Sequence, residues 1–263
     1  MENNKSPRLR TVNKSVSAFP LNEFPKEFPF LLGKELIYLL ASKGKPDLEG
    51  SDWESIYARC IGADWKPSNV GLDDVIIGNT AWGAKTVKAS KPSTKKKIRL
   101  ISGRNSPNYS FGERSDHKTD AHLIGRLVLE IWNERVSAIR EKFKHLRTVV
   151  LIKSLDLTEV VVFEFDTIRY DSELYEWAWN KNNNLVGTHK RTEEHRFTWQ
   201  PHGSQFTIIE DVPKKALVIN IKKPKTLDKT RILKALGFDN SWITATQRQE
   251  PGWEKKETAP ENT

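Results

Sequence analysis

The sequence predicts a mixed α/β fold of α+β type with a β-rich C-terminal half. Two stretches of helical period open the chain, short β-branched runs follow, and after one long amphipathic stretch the apolar runs are of strand length, broken by Gly, Pro, Asn and Asp.

Taken in order, residues 33–43 gather Leu36, Ile37, Leu39 and Leu40 on one side of a helix. Residues 52–61 follow Ser51, a candidate N-cap, as a second helix. The period then changes to two. Residues 72–77 and 81–88 are strand-like and separated by Gly78-Asn79-Thr80, and residues 97–102 form a third run, so a three-stranded meander is expected. Residues 119–147 carry the longest helical pattern, with Leu123, Leu127, Ile131, Val136 and Ile139 recurring at helical steps. That helix is expected to cover one face of the sheet. Strands are expected at 148–153, 159–165, 174–179, 196–199, 205–209 and 216–221, and a closing helix at 227–236. Residues 1–17, which hold Lys5, Arg8, Arg10 and Lys14 and little to bury, read as a flexible basic arm, and 247–263 as a flexible tail. Between them, 18–246 reads as one domain, with a core over about 50–155 and a β-rich part over about 156–225.

Composition narrows the function classes. The 263 residues are 37% hydrophobic and 29% charged, which excludes collagen, coiled coil and wholesale disorder. No apolar run approaches the ~20 residues of a membrane span, and the first residues lack an apolar signal core, so no membrane partner and a cytoplasmic location are expected. The single cysteine, Cys60, can form neither an internal disulfide nor a thiolate zinc site. Six histidines show no compact zinc spacing, and Walker A, Gly-x-Gly-x-x-Gly and Gly-x-Ser-x-Gly patterns are absent. Lys and Arg number 43 against 34 Asp and Glu, a net +9 that suits a polyanion, nucleic acid before an anionic membrane surface.

Chemistry concentrates in residues 71–88. Asp73 and Asp74 stand at the start of an apolar strand, and Lys85 stands in the middle of the next. With a two-residue Gly78-Asn79 turn, Asp74 faces Gly83 and shares a face with Lys85; a loop of three to five residues would bring Asp73 there instead. A lysine inside a strand is costly to bury unpaired, so the pair reads either as a structural salt bridge or as a metal-dependent hydrolytic site. Magnesium takes carboxylate oxygens and keeps several waters, and a neighbouring ammonium can orient or deprotonate an attacking water. Glu54, in the helix just upstream, is the further carboxylate.

Over residues 50–103 this arrangement resembles the PD-(D/E)XK nuclease superfamily, and within it the type II restriction endonucleases. A helix bearing a glutamate, a Gly-x-Asp strand, a turn, a strand with the lysine and a third strand follow one another. The resemblance implies a restriction-endonuclease-like mixed central sheet flanked by helices. It also implies Mg2+ as cofactor and hydrolysis of phosphodiester bonds in double-stranded DNA at a specific sequence, with a homodimer cutting the two strands. Asp74 or Asp73 matches the first acid, Lys85 the lysine and Glu54 the helix glutamate, with Asp74, Asp73 and Glu54 as the metal ligands. The second acid would stand at Gly83, where glycine offers no ligand; Glu54, the spare aspartate or Glu130 is the expected substitute. The alternatives are a protein that keeps this fold and binds DNA or RNA without catalysis, and a basic structural protein of a nucleoprotein assembly.

Lys88, Lys95, Lys96, Lys97, Arg99 and Arg104 crowd the segment after Lys85, either as phosphate contacts or as a solvated basic loop. Arg196, Gln200, His202 and Gln205 bring together side chains suited to base edges. Trp177 and Trp179, at strand spacing, read as core sooner than as base contacts.

Overall fold

The computed structural model describes residues 16–67 and 71–245. Most of the expected arm and the whole of the expected tail lie outside these residues. Ser17, at the end of the arm, is tied down: its Oγ accepts a hydrogen bond from Arg147 Nη2 at 3.0 Å. The chain divides into two compact units, Met1–Thr226 and Leu227–Thr263. The short helix Lys229–Ala235 therefore belongs to the second unit.

The first unit opens with α1 (Phe28–Lys43) and α2 (Gly50–Ile61). Helix α1 starts with proline in its first turn and stops at Gly44, which adopts φ 66° and returns its N–H to the Leu40 carbonyl. Helix α2 begins with a capping box between Glu49 and Asp52, so Glu49 is the cap and Ser51 lies inside the helix.

After α2 come β1 (Asp64–Trp65), β2 (Val75–Ile77), β3 (Thr80–Lys88) and β4 (Lys97–Arg104), then α3 (Pro107–Phe111) and α4 (Ala121–Arg140). The remaining strands are β5 (His145–Lys153), β6 (Glu159–Asp166), β7 (Tyr175–Trp179), β8 (Leu185–His189), β9 (His195–Gln200), β10 (Gln205–Asp211) and β11 (Leu217–Asn220). They build a six-stranded sheet in the order β1-β2-β3-β5-β6-β11 and a five-stranded sheet in the order β4-β10-β9-β8-β7. The second is antiparallel throughout; in the first only β3 and β5 are parallel. A parallel pair needs a crossover, and the chain between them, which contains α4, provides it.

The mixed class holds, and besides the Ser51 cap three expectations change. The meander ends after two strands, because β5 occupies the free edge of β3 and β4 pairs with β10 in the other sheet. The helical pattern expected to reach residue 147 ends at Arg140, and Leu146, which falls on the helical step, is a buried residue of β5. Strand β8 has no counterpart among the expected strands; its central Gly187 weakens the strand signal and admits the Trp177 ring against the backbone.

Burial sorts into layers. Helices α1 and α2 pack Phe28, Leu32, Leu36, Trp53 and Tyr57 on one face of the six-stranded sheet, against Trp82, Ala84, Val149 and Val162. On the other side, Ile124, Val128 and Trp132 of α4 join Ala81 and Leu146 of that sheet to Trp177, Phe197 and Phe206 of the second sheet. Alternation along β3 follows directly. Trp82 and Ala84 point to the two-helix layer, whereas Ala81, Gly83 and Lys85 point toward α4.

Candidate active site

The hairpin β2–β3 turns in two residues. Val75 opposes Trp82, Ile76 opposes Ala81 and Ile77 opposes Thr80, with Gly78 at φ 55° in the turn. One step further this register sets Asp74 opposite Gly83, on the α4 side, with Lys85 two residues along the same face. Asp74 is only 2% exposed. Strand β2 has three residues, so β3 outruns it, and residues 71 and 72 pass over the face of β3 instead. Lys85 Nζ donates to the Gly71 carbonyl at 3.1 Å.

This crossing explains why residue 83 carries no acid. A Cβ at Gly83 would stand 2.8 Å from the Gly71 carbonyl oxygen and 3.1 Å from Leu72 Cα, so backbone fills the place where a carboxylate would be. Gly83→Asp is expected to lower stability by about 1–3 kcal/mol through overpacking, without raising any activity. Thermal denaturation of the variant checks this, and an unchanged melting temperature would contradict it.

Asp74, Glu54 and Arg135 are the charges that act on Lys85. Burial is the largest influence and holds the Lys85 ammonium below its usual range; Asp74 and then Glu54 oppose that, and Arg135 adds to it. Glu54 stands on α2, where its Oε2 accepts from Trp65 Nε1 at 3.3 Å, and acts on Lys85 through its charge. Asp73 is half-buried, and its Oδ1 is buried with no hydrogen-bond partner. Glu130 lies exposed on α4.

Sequence reasoning missed Arg135. Its Nη1 donates to the Ser102 carbonyl at 2.8 Å and to Asn105 Oδ1 at 3.2 Å, and its guanidinium lies 5.8 Å from the Trp132 ring centroid. Gly103, at φ 114°, makes room for it, since a Cβ there would fall 2.2 Å from Nη1. The signal that could have found it is an arginine set into the apolar stripe of α4, between Trp132 and Val136.

For a cation, the Lys85 face offers the Asp74 carboxylate, with Glu54 acting on the same ammonium through its charge; the partnerless Oδ1 belongs to the adjacent Asp73. Among the described residues no group of three or more His, Cys, Asp and Glu side chains gathers around one point. A hard cation such as magnesium takes one or two carboxylates and completes its shell with water and substrate oxygens, so Asp74, with Asp73 or Glu54, would be the residues to hold one.

The basic residues divide. Lys88, Lys95 and Lys96 are exposed. Lys97 is engaged by Glu194 at 2.7 Å and Asp211 at 3.7 Å. Burial alternates along β4, which turns Ile98 and Leu100 inward and Lys97, Arg99 and Ile101 outward. Arg99 Nη2 donates to Thr198 Oγ1 at 2.9 Å. Arg104, Gln205 and Gln200 oppose one another across β4, β10 and β9, a polar row on one face of the second sheet. His202 is exposed in the turn that follows β9. Arg196, expected at a base edge, is instead committed to the fold: Nη2 donates to Glu210 and to Tyr170 Oη, and Glu210 is 8% exposed. Trp177 is core, stacked on Phe197 at 5.7 Å, and Trp179 Nε1 donates to the Thr119 carbonyl at 2.9 Å.

Among the described residues no helix is long and apolar enough to cross a membrane. Comparison with protein-family models, with curated proteins and with solved structures finds no match.

Proposed function

We propose that this protein is a magnesium-dependent endonuclease of the PD-(D/E)XK kind, hydrolysing phosphodiester bonds in double-stranded DNA at a specific sequence as a homodimer. The observation that carries this reading is the two-residue hairpin, which sets a buried Asp74 and Lys85 on one face with the Glu54 charge acting on the same ammonium. A bound Mg2+ would make water a competent nucleophile near neutral pH and offset charge on the phosphoryl oxygens. Asp74, helped by Asp73 or Glu54, would hold it. Lys85, held beside the Gly71 carbonyl, would orient the attacking water as the ammonium and, as the neutral amine that burial favours, would take its proton. Arg135 supplies a second fixed positive charge as negative charge grows on the phosphorus-bound oxygens.

Incubation of supercoiled plasmid with Mg2+ or with EDTA tests the reading. Discrete linear fragments in Mg2+ alone are expected; intact plasmid under both conditions would overturn it. A second reading, a non-catalytic DNA- or RNA-binding protein of the same fold, is favoured by the backbone that fills the acid position at Gly83. Binding without cleavage would select it.

Lys95 and Lys96 are assigned to the phosphate backbone. The double variant Lys95→Ala/Lys96→Ala should weaken binding to every duplex alike and flatten the salt slope by up to ~0.9 for each phosphate no longer neutralised. Salt titrations on two unrelated duplexes check this, and weakening confined to one of them would reassign these lysines to base reading.

A further inference from the structure

Helix α1 carries two apolar faces, and the first unit covers one of them. Phe28, Leu32, Leu36 and Leu40 are buried in one cluster with α2 and the six-stranded sheet. Phe30, Leu31, Ile37 and Tyr38 are exposed, and at 3.6 residues per turn they share the opposite side of the helix. Phe30 is 68% and Tyr38 67% exposed. A helix that is apolar all round is ordinarily enclosed on every side. Trp65 of β1, 43% exposed, extends the stripe, because Tyr38, Leu39, Ile56 and Trp65 line one open groove beside α2.

Charge and area bear on what covers it. Between residues 30 and 38 the charges are Lys34 and Glu35, and Glu35 is taken up by Arg59 at 2.8 Å. A lone lysine among large apolar side chains does not suit a polyanion, which is held by several cations at once. What suits the stripe is another like it, and a two-fold axis brings one from a second copy of the chain. Aromatic side chains present about 150–250 Å² each, so the exposed parts of Phe30, Tyr38 and Trp65 come to roughly 270–450 Å², to which Leu31 and Ile37 add. A standard interface takes about 800 Å² from each partner, about 60% of it apolar, or roughly 480 Å². The stripe is therefore of the size that a stable dimer needs.

We propose that this stripe, with Trp65, is the interface of a two-fold homodimer in which Phe30 and Tyr38 of each copy are the anchors. The proposal rests on the homodimer of the nuclease reading and adds the face on which that dimer forms. This face lies on the two-helix side of the six-stranded sheet, away from the α4 side toward which Lys85 points.

Sedimentation equilibrium of the full chain in EDTA, without DNA, tests it over about 1–100 μM. The mass of two copies is expected in the upper part of that range. Phe30→Lys/Tyr38→Lys places like charges in the centre of the interface and should weaken association by about a hundredfold or more, with the circular dichroism of the wild type. The milder Tyr38→Ser removes one anchor without adding charge and should weaken association about thirtyfold. Tyr109→Lys, at an exposed position on α3, should associate as the wild type does. A monomer at about 100 μM, or wild-type association in both the paired variant and Tyr38→Ser, would overturn the proposal. A dimer that leaves plasmid intact supports this face and overturns the nuclease reading alone; cleavage by a chain that stays monomeric overturns this face alone.

Discussion

Lys85→Met should reduce plasmid cleavage in Mg2+ by about a hundredfold to ten-thousandfold while duplex binding stays within about tenfold. The side chain is fixed by the Gly71 carbonyl on the face shared with Asp74, so its removal takes away the proposed proton carrier and leaves the exposed Lys88, Lys95 and Lys96 untouched. Stability should not confuse the result. Burial holds the ammonium below its usual range, so the charged form is disfavoured by folding at every pH below its folded value, and that cost fades as pH rises through it toward the unfolded value. Methionine removes this cost below that range and keeps the aliphatic stem. Asp74→Asn should fall by a similar factor, because the carboxylate and the ammonium act as one unit. Wild-type cleavage by either variant, measured as initial rates on supercoiled plasmid, would place the chemistry elsewhere in the chain.

The part of this site that the sequence discloses is the part set by local geometry. A Gly-Asn pair between two apolar runs is a two-residue turn, and once the turn length is known the strand period alone puts Asp74 and Lys85 on one face. What lies across the chain was not legible. Gly83 looks like a missing acid in the sequence; in three dimensions it is the place where residues 71 and 72 cross β3, a meeting of segments whose register no local pattern encodes. Arg135 has the same history. Its helical periodicity is plain, but its meaning comes from Ser102 and Asn105, near the end of a strand that belongs to a different sheet from β3. Strand β4 itself shows clear alternation, and still its partner, β10, could not be named in advance, because a run of strand length pairs equally well in sequence terms with several others.

Glu164→Ala should cost about 3–5 kcal/mol, the range for leaving one partner of a buried ion pair uncompensated. Glu164 lies within a Val-Val-Val-Phe-Glu-Phe run that promises only an apolar strand, yet it is 1% exposed and gathers donors from three other elements. Tyr57 Oη from α2 donates to Oε1 at 2.6 Å, Trp82 Nε1 from β3 donates to the same atom at 2.8 Å, and Arg147 Nη1 from β5 donates to Oε2 at 3.1 Å. Arg147, itself 5% exposed, would keep Ser17 Oγ and, at 3.9 Å, the exposed Asp166 carboxylate. For a chain of this size that destabilisation corresponds to a fall of about 6–20 °C in melting temperature. Glu164→Leu combined with Arg147→Met should recover much of it, because replacing both charges removes the desolvation cost along with the attraction. A single-variant effect below about 1 kcal/mol would mean that water reaches Arg147 and that the pair is not buried as described. The consequence for the site is direct. Trp82 stands three residues before Lys85 on the strand that presents it, so the Glu164 network is what holds β3 against the two-helix layer, and loosening it should lower cleavage at temperatures where the chain is still folded.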